Sequence, residues 1–140
     1  MKKEVRLSIA GLHFSGENNE NNVETSYDAE YFKKNDSYYL LYDDVQEGFS
    51  QPSKTRIKCK DKLMELTRQG LTRTHMVFEE NRTHMTPYVT PYGEFLLGIH
   101  AKSVRMEERE KEMTITVEYA LEADGEYLSD SRIVIKVRER

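Results

Sequence analysis

The run Leu63-Met64-Glu65-Leu66-Thr67-Arg68 alternates apolar and polar positions until its last member. Arg68 is in phase with Met64 and Leu66, so a strand that turns those two inward also turns the guanidinium inward, near its end. A buried guanidinium needs a partner, either a carboxylate of the protein or an anionic group of a bound molecule. Glu65, Glu94 and Glu118 are the internal candidates, and snorkelling to a rim is the remaining outcome. Tyrosines would complete a polar pocket around it. Tyr27, Tyr42 and Tyr119 sit on apolar-alternating runs, with hydroxyls able to edge an interior space. Tyr92 lies in Thr90-Pro91-Tyr92-Gly93, where proline drives Thr90 extended and glycine permits positive φ. That unit either launches a strand, with the Tyr92 ring packed over Gly93, or gates a ligand.

Other reactive side chains are weaker signals. Thr-His-Met occurs twice, at 74–76 and 83–85, across a predicted hairpin. An even-numbered loop places His75 and His84 side by side, facing out. Zinc wants three or four ligands, and neither Cys59 nor His100 joins them, so no metal site is expected. Cys59 is in phase with Ile57 and reads as a small core residue rather than an activated thiolate. Asp43-Asp44 at a strand exit reads as solvated acids, with cation binding or base chemistry as the alternative. The chain has no Gly-x-Ser-x-Gly, phosphate loop or His-Glu-x-x-His, so neither a catalytic residue nor a cofactor is expected. Lys54, Arg56, Lys58 and Lys60 put four cations on one outward strand face. That strip suits an acidic partner, or else is a solvated wall matched by neighbouring acids.

Composition narrows the partners. With 21 basic and 25 acidic residues the net charge is −4, lacking the cationic surplus that duplex binding exploits, so nucleic acid is not expected. No apolar run serves as a signal peptide or bilayer span, which points to the cytosol and away from a membrane. One cysteine precludes an internal disulfide.

The elements that must hold these side chains are strands. Residues 1–140 read as one domain of nine or ten alternating runs. The first is Val5-Leu7-Ile9, whose phase slips at Ala10-Gly11 as a β-bulge would make it. Val23 to Tyr31 turns through Lys34-Asn35-Asp36 into Tyr38–Tyr42, apolar on both faces. Thr55-Ile57-Cys59 turns at Lys60-Asp61-Lys62 into the Arg68 run, and Gln69-Gly70 turns into Thr72–Phe78. Glu79-Glu80-Asn81 closes a hairpin into Thr83–Thr86. Phe95, Leu97, Ile99 and Ala101 share a face, and Arg105 to Lys111 is a charged connection with one helical turn. Met113 to Leu121 alternates most cleanly, Ala123-Asp124-Gly125 turns, and Ile133-Ile135-Val137 closes the series. Short sequential connections predict an all-β, antiparallel meander. Strands with one apolar face each bury it by curling into a single closed β-barrel of 8–10 strands, the last pairing with the first.

The segment "LTRQGLTRTHMVFEENRTHMTPYVTPYGEFLLGIHAKSV" resembles the YwiB-like family of small bacterial β-barrel proteins. The carrying residues are Arg68 and Gly70 in "TRQG", Phe78, and Thr90, Tyr92 and Gly93 in "TPYGEF", with "YYLLYDD" and the closing strands in support. The resemblance implies a closed meander of the calycin type, akin in architecture to lipocalins, in a family without an established activity.

Two functions follow as expectations. In the first, the barrel is non-enzymatic and binds a small apolar or amphipathic ligand, with Arg68 anchoring an anionic group and Tyr27, Tyr42, Tyr92 and Tyr119 around it. In the second, large inward side chains (Tyr27, Tyr31, Met76, Phe78, Phe95, Met113, Tyr119) fill the barrel, which then meets a protein partner through Lys54, Arg56, Lys58 and Lys60.

Overall fold

A computed structural model of the chain describes residues 3–11, 24–44, 53–70, 73–90 and 93–140, with backbone alone for 88–90. Ten strands follow one another: β1 Glu4–Ala10, β2 Glu24–Lys34, β3 Ser37–Asp44, β4 Ser53–Lys60, β5 Leu63–Gln69, β6 Arg73–Glu79, β7 Thr83–Thr90, β8 Gly93–Glu108, β9 Glu112–Ala123 and β10 Glu126–Glu139. They form one antiparallel sheet in the order β6-β5-β4-β3-β2-β1-β10-β9-β8-β7. The last strand pairs with the first, Leu7 opposite Val137 and Ile9 opposite Ile135. The sheet therefore curls into a nearly closed all-β barrel. No helix among the described residues is long and apolar enough to cross a membrane.

Alternation sets which side chains fill the barrel. Val5, Leu7, Ile57, Met64, Leu66, Phe78, Met113, Ile115, Val117, Ile133 and Ile135 have no surface that water can touch, inside or out. A space large enough for a ligand would show as accessible surface on its lining, so this part of the interior is solid. The Phe78 and Tyr119 rings meet edge to face across it, centroids 5.0 Å apart. Tyr38, Leu40 and Tyr42 face in, while Tyr39 on the outer face is covered by Phe32, stacked at 4.8 Å.

The two rims differ. Odd-numbered strands all end on one rim, here called upper, from which the segments 12–23, 45–52, 71–72 and 91–92 depart. The lower rim is closed by tight turns whose residues hold left-handed backbone: Asn35 and Asp36 (φ 51° and 64°), Asp61 (48°) and Asn81 (64°). Asn and Asp tolerate that region because their side chains bond locally. Gly11 also has positive φ, 85°, and a Cβ there would lie 1.9 Å from the Arg132 carbonyl oxygen. The phase slip at Ala10-Gly11 is thus a close approach to β10. Leu12 and Phe14, beyond it, lie outside the described residues.

Three sequence expectations are corrected. Residues 105–108 continue β8 rather than forming a connection, because a bulge between Ala101 and Ser103 shifts the phase and lets Val104 face in. Phe95, at the start of β8, is 41% exposed and does not fill the interior. Most consequentially, Glu79 to Asn81 does not close a hairpin: β7 pairs with β8, and β6 with β5. The β8 bulge supplies the reason. Its freed Ala101 carbonyl accepts from the Asn81 N–H at 2.9 Å, and the Val104 N–H donates to the Glu80 carboxylate at 3.1 Å. The connection is stitched to β8, so β6 and β7 face each other across a seam. Side chains close it: the Thr86 hydroxyl donates to the His75 carbonyl at 2.5 Å, and His84 Nε2 lies 2.8 Å from Glu79 Oε1.

Candidate functional site

The inward alternation of β2 to β6 turns polar as it nears the upper rim. Cross-strand register aligns Tyr42 with Thr55, Thr55 with Arg68 and Arg68 with Thr74, giving one row across four strands. Asp44, opposite Ser53, sits just above it. The Arg68 side chain is 4% exposed and its Nη2 lies 3.3 Å from Asp44 Oδ2, whose side chain is 21% exposed. Among the described residues the ion-pair partner is therefore Asp44, rather than Glu65, Glu94 or Glu118. Sequence reasoning read Asp44 as a solvated acid; its even spacing from Leu40 and Tyr42 was the signal that it shares their inward face.

Two tyrosines wrap the pair. Tyr27 and Tyr42 rings lie 4.5 Å apart. Burial raises the Tyr27 hydroxyl's pKa, as do the charge of Asp44 and a hydrogen bond donated to that carboxylate. Burial raises Tyr42 further, helped by neighbouring Tyr27 and Asp44. Both phenols thus stay protonated as donors. The Tyr42 hydroxyl lies beside Thr55, whose Oγ1 is sealed from solvent without a well-formed hydrogen bond. Chemically the cluster is a guanidinium–carboxylate pair with two phenols and a hydroxyl around it, the Tyr27 phenol already donating to Asp44.

Tyr119 does not join it. Its ring packs on Phe78 and its hydroxyl bonds Ser131. Tyr92 lies outside the described residues, as does Pro91; Gly93 begins β8 with φ 138° and open space where a Cβ would stand. Cys59 is buried, and burial pushes its thiol up to about 12, so it stays a thiol at neutral pH. The histidines are not side by side. His75 faces out beside Glu65 at 3.5 Å, whereas His84 has the inward phase of Thr86 and is held in the seam by Glu79. Among the described residues no group of three metal-ligating side chains converges.

The strip Lys54, Arg56, Lys58 and Lys60 does line the outer face of β4. Acids of neighbouring strands face it, Asp43 opposite Lys54 and Glu65 opposite Lys58, and Lys58 lies 5.9 Å over the Tyr39 ring. Lys54 and Arg56 border an open trough of about 900 Å³, whose wall also includes Asp43, Glu65, Arg73 and His75.

Comparison places the chain among known proteins. The family model described as Domain of unknown function (DUF1934) matches residues 7–135. The crystal structure of the ywiB protein from Bacillus subtilis is similar in fold, with a TM-score of 0.78 at 18% identity, over 99% of this chain and 92% of that one. No curated protein matches.

Proposed function

The chain belongs to the DUF1934 family, and on that premise we propose that it is a non-enzymatic cytoplasmic barrel whose upper rim takes the anionic end of a small amphipathic molecule. The observation that carries this reading is the Arg68–Asp44 pair under Tyr27 and Tyr42, beside the sealed Thr55 hydroxyl. A guanidinium in a low-dielectric surrounding holds a carboxylate or phosphate more strongly than one in water, and here the ligand's anion shares Arg68 with Asp44. The solid interior below Leu66 and Ile57 keeps any apolar tail at the rim, unlike a carrier that swallows its ligand. Native mass spectrometry on protein from its own host, with added dodecanoate as a defined probe and dodecanol as its uncharged counterpart, tests this. Retention of an anionic small molecule, or binding of dodecanoate over dodecanol that Arg68→Met weakens at least tenfold, supports it. Equal binding of the two probes, or none by either, overturns it.

A second reading rests on the outer trough beside Lys54 and Arg56. There the mixed charges suit a polar protein partner. Reversing Lys54, Arg56 and Lys58 to Glu abolishes that interaction in a pull-down; unchanged capture disposes of the surface.

A further inference from the structure

Away from the Arg68 site, the outer wall of β7 to β10 carries an unusual row. Register places Met85 opposite Gly98, Gly98 opposite Glu122 and Glu122 opposite Tyr127, so four strands contribute one position each. A Cβ at Gly98 would fall 2.3 Å from Glu122 Oε1, so this carboxylate lies flat over the glycine, between Met85 and Tyr127. The next row pairs Pro87 with Leu96, and the Leu96 carbonyl accepts from the Asp124 N–H at 3.0 Å, bringing the β9–β10 turn alongside. Met85, Leu96 and Tyr127 on this wall are 44–64% exposed, and Phe95 and Leu128 are exposed near the strand ends beside it. Exposed apolar side chains gathered on one wall mark interaction surfaces.

Charge selects the occupant. Asp130 is taken by Lys102 at 2.7 Å, and Glu118 stands opposite Arg132. Glu94, Glu122 and Glu126 of the same strands and Asp124 of the β9–β10 turn ring the patch, and none has an ion-pair partner among the described residues. We propose that this wall is a docking surface for a basic, amphipathic segment of a partner protein, whose Lys or Arg meets Glu122 over Gly98 while its apolar side chains cover Leu96 and Tyr127. An acidic rim repels an anionic membrane and favours cationic partners, steering them electrostatically.

The full chain, labelled with ¹⁵N, tests this against a synthetic peptide of alternating Leu and Lys and its Leu/Glu counterpart. The Leu/Lys peptide shifts the amides of Leu96, Gly98, Glu122 and Tyr127, more weakly at high salt, and the Leu/Glu peptide shifts none of them. Glu122→Lys and, independently, Leu96→Ser each weaken binding at least tenfold at unchanged melting temperature; should either perturb folding, Tyr127→Ser replaces it. Shifts confined to another wall, equal binding of both peptides, or variants that bind as the parent does overturn the proposal. Sedimentation showing self-association lost in Leu96→Ser assigns the patch to a second copy and overturns it equally.

Discussion

Arg68 and Asp44 are unequally buried, and this orders the consequences of removing either. Asp44→Asn leaves a guanidinium that is 4% exposed facing a neutral amide, whereas Arg68→Met leaves a carboxylate that is 21% exposed and reaches water. Breaking a buried pair costs about 3–5 kcal/mol, while replacing a buried charge by an apolar side chain of similar size costs far less. Urea denaturation should therefore show Asp44→Asn losing more than Arg68→Met, which loses less than about 2 kcal/mol; the reverse order means Asp44 is not what holds Arg68. Arg68 was legible in the sequence because it keeps phase with Met64 and Leu66. Its partner was not, because alternation says which face a residue takes but not which residues of other strands meet there. Tyr119 shows the same limit: its inward phase was readable, its distance from Arg68 was not.

At the level of elements, alternation and turn residues were enough to place nearly every strand, since an inward apolar face and Asn, Asp or Gly at turns are local signals. What failed was pairing at β6 and β7. Glu79-Glu80-Asn81 looks like a hairpin turn, yet a bulge in β8 captures its backbone, and a bulge arising twenty residues away leaves no local mark. The seam predicts that Thr86→Val, which keeps shape but removes the donor to His75, costs about 1 kcal/mol and raises amide exchange selectively along β6 and β7. Uniform exchange throughout the sheet would contradict a seam closed by side chains. Gly11→Ala combines strained backbone with collision against the Arg132 carbonyl. It should lose more than about 1 kcal/mol, read as a lowered urea midpoint; an unchanged midpoint would place Gly11 away from β10.

For the whole molecule, buried phenols link stability to pH. Tyr38 is pushed up to about 12 by its hydrogen bond to Glu108 and by burial, and Tyr31 to about 12 by burial and the charges of Tyr38 and Glu108. The unfolded chain releases these protons near pH 10, while the folded barrel keeps them. Their stabilisation is thus complete below pH 10 and disappears as pH climbs from about 10 to 12. Melting curves should be level up to about pH 9.5 and fall steeply beyond, alongside phenolate absorbance; a fall beginning near neutrality would point to other groups. The seam has a final consequence for how the polypeptide is threaded. Starting from β7, the sheet order runs unbroken through β10 and β1 to β6, so the covalent link at 80–82 crosses the one place without a ladder, while Arg140 N–H donates to the Glu4 carbonyl at 3.3 Å. Fusing those two ends and cutting at 80–82 would yield a circular permutant that keeps all its strand pairings and folds as a plain ten-stranded ribbon rolled edge to edge.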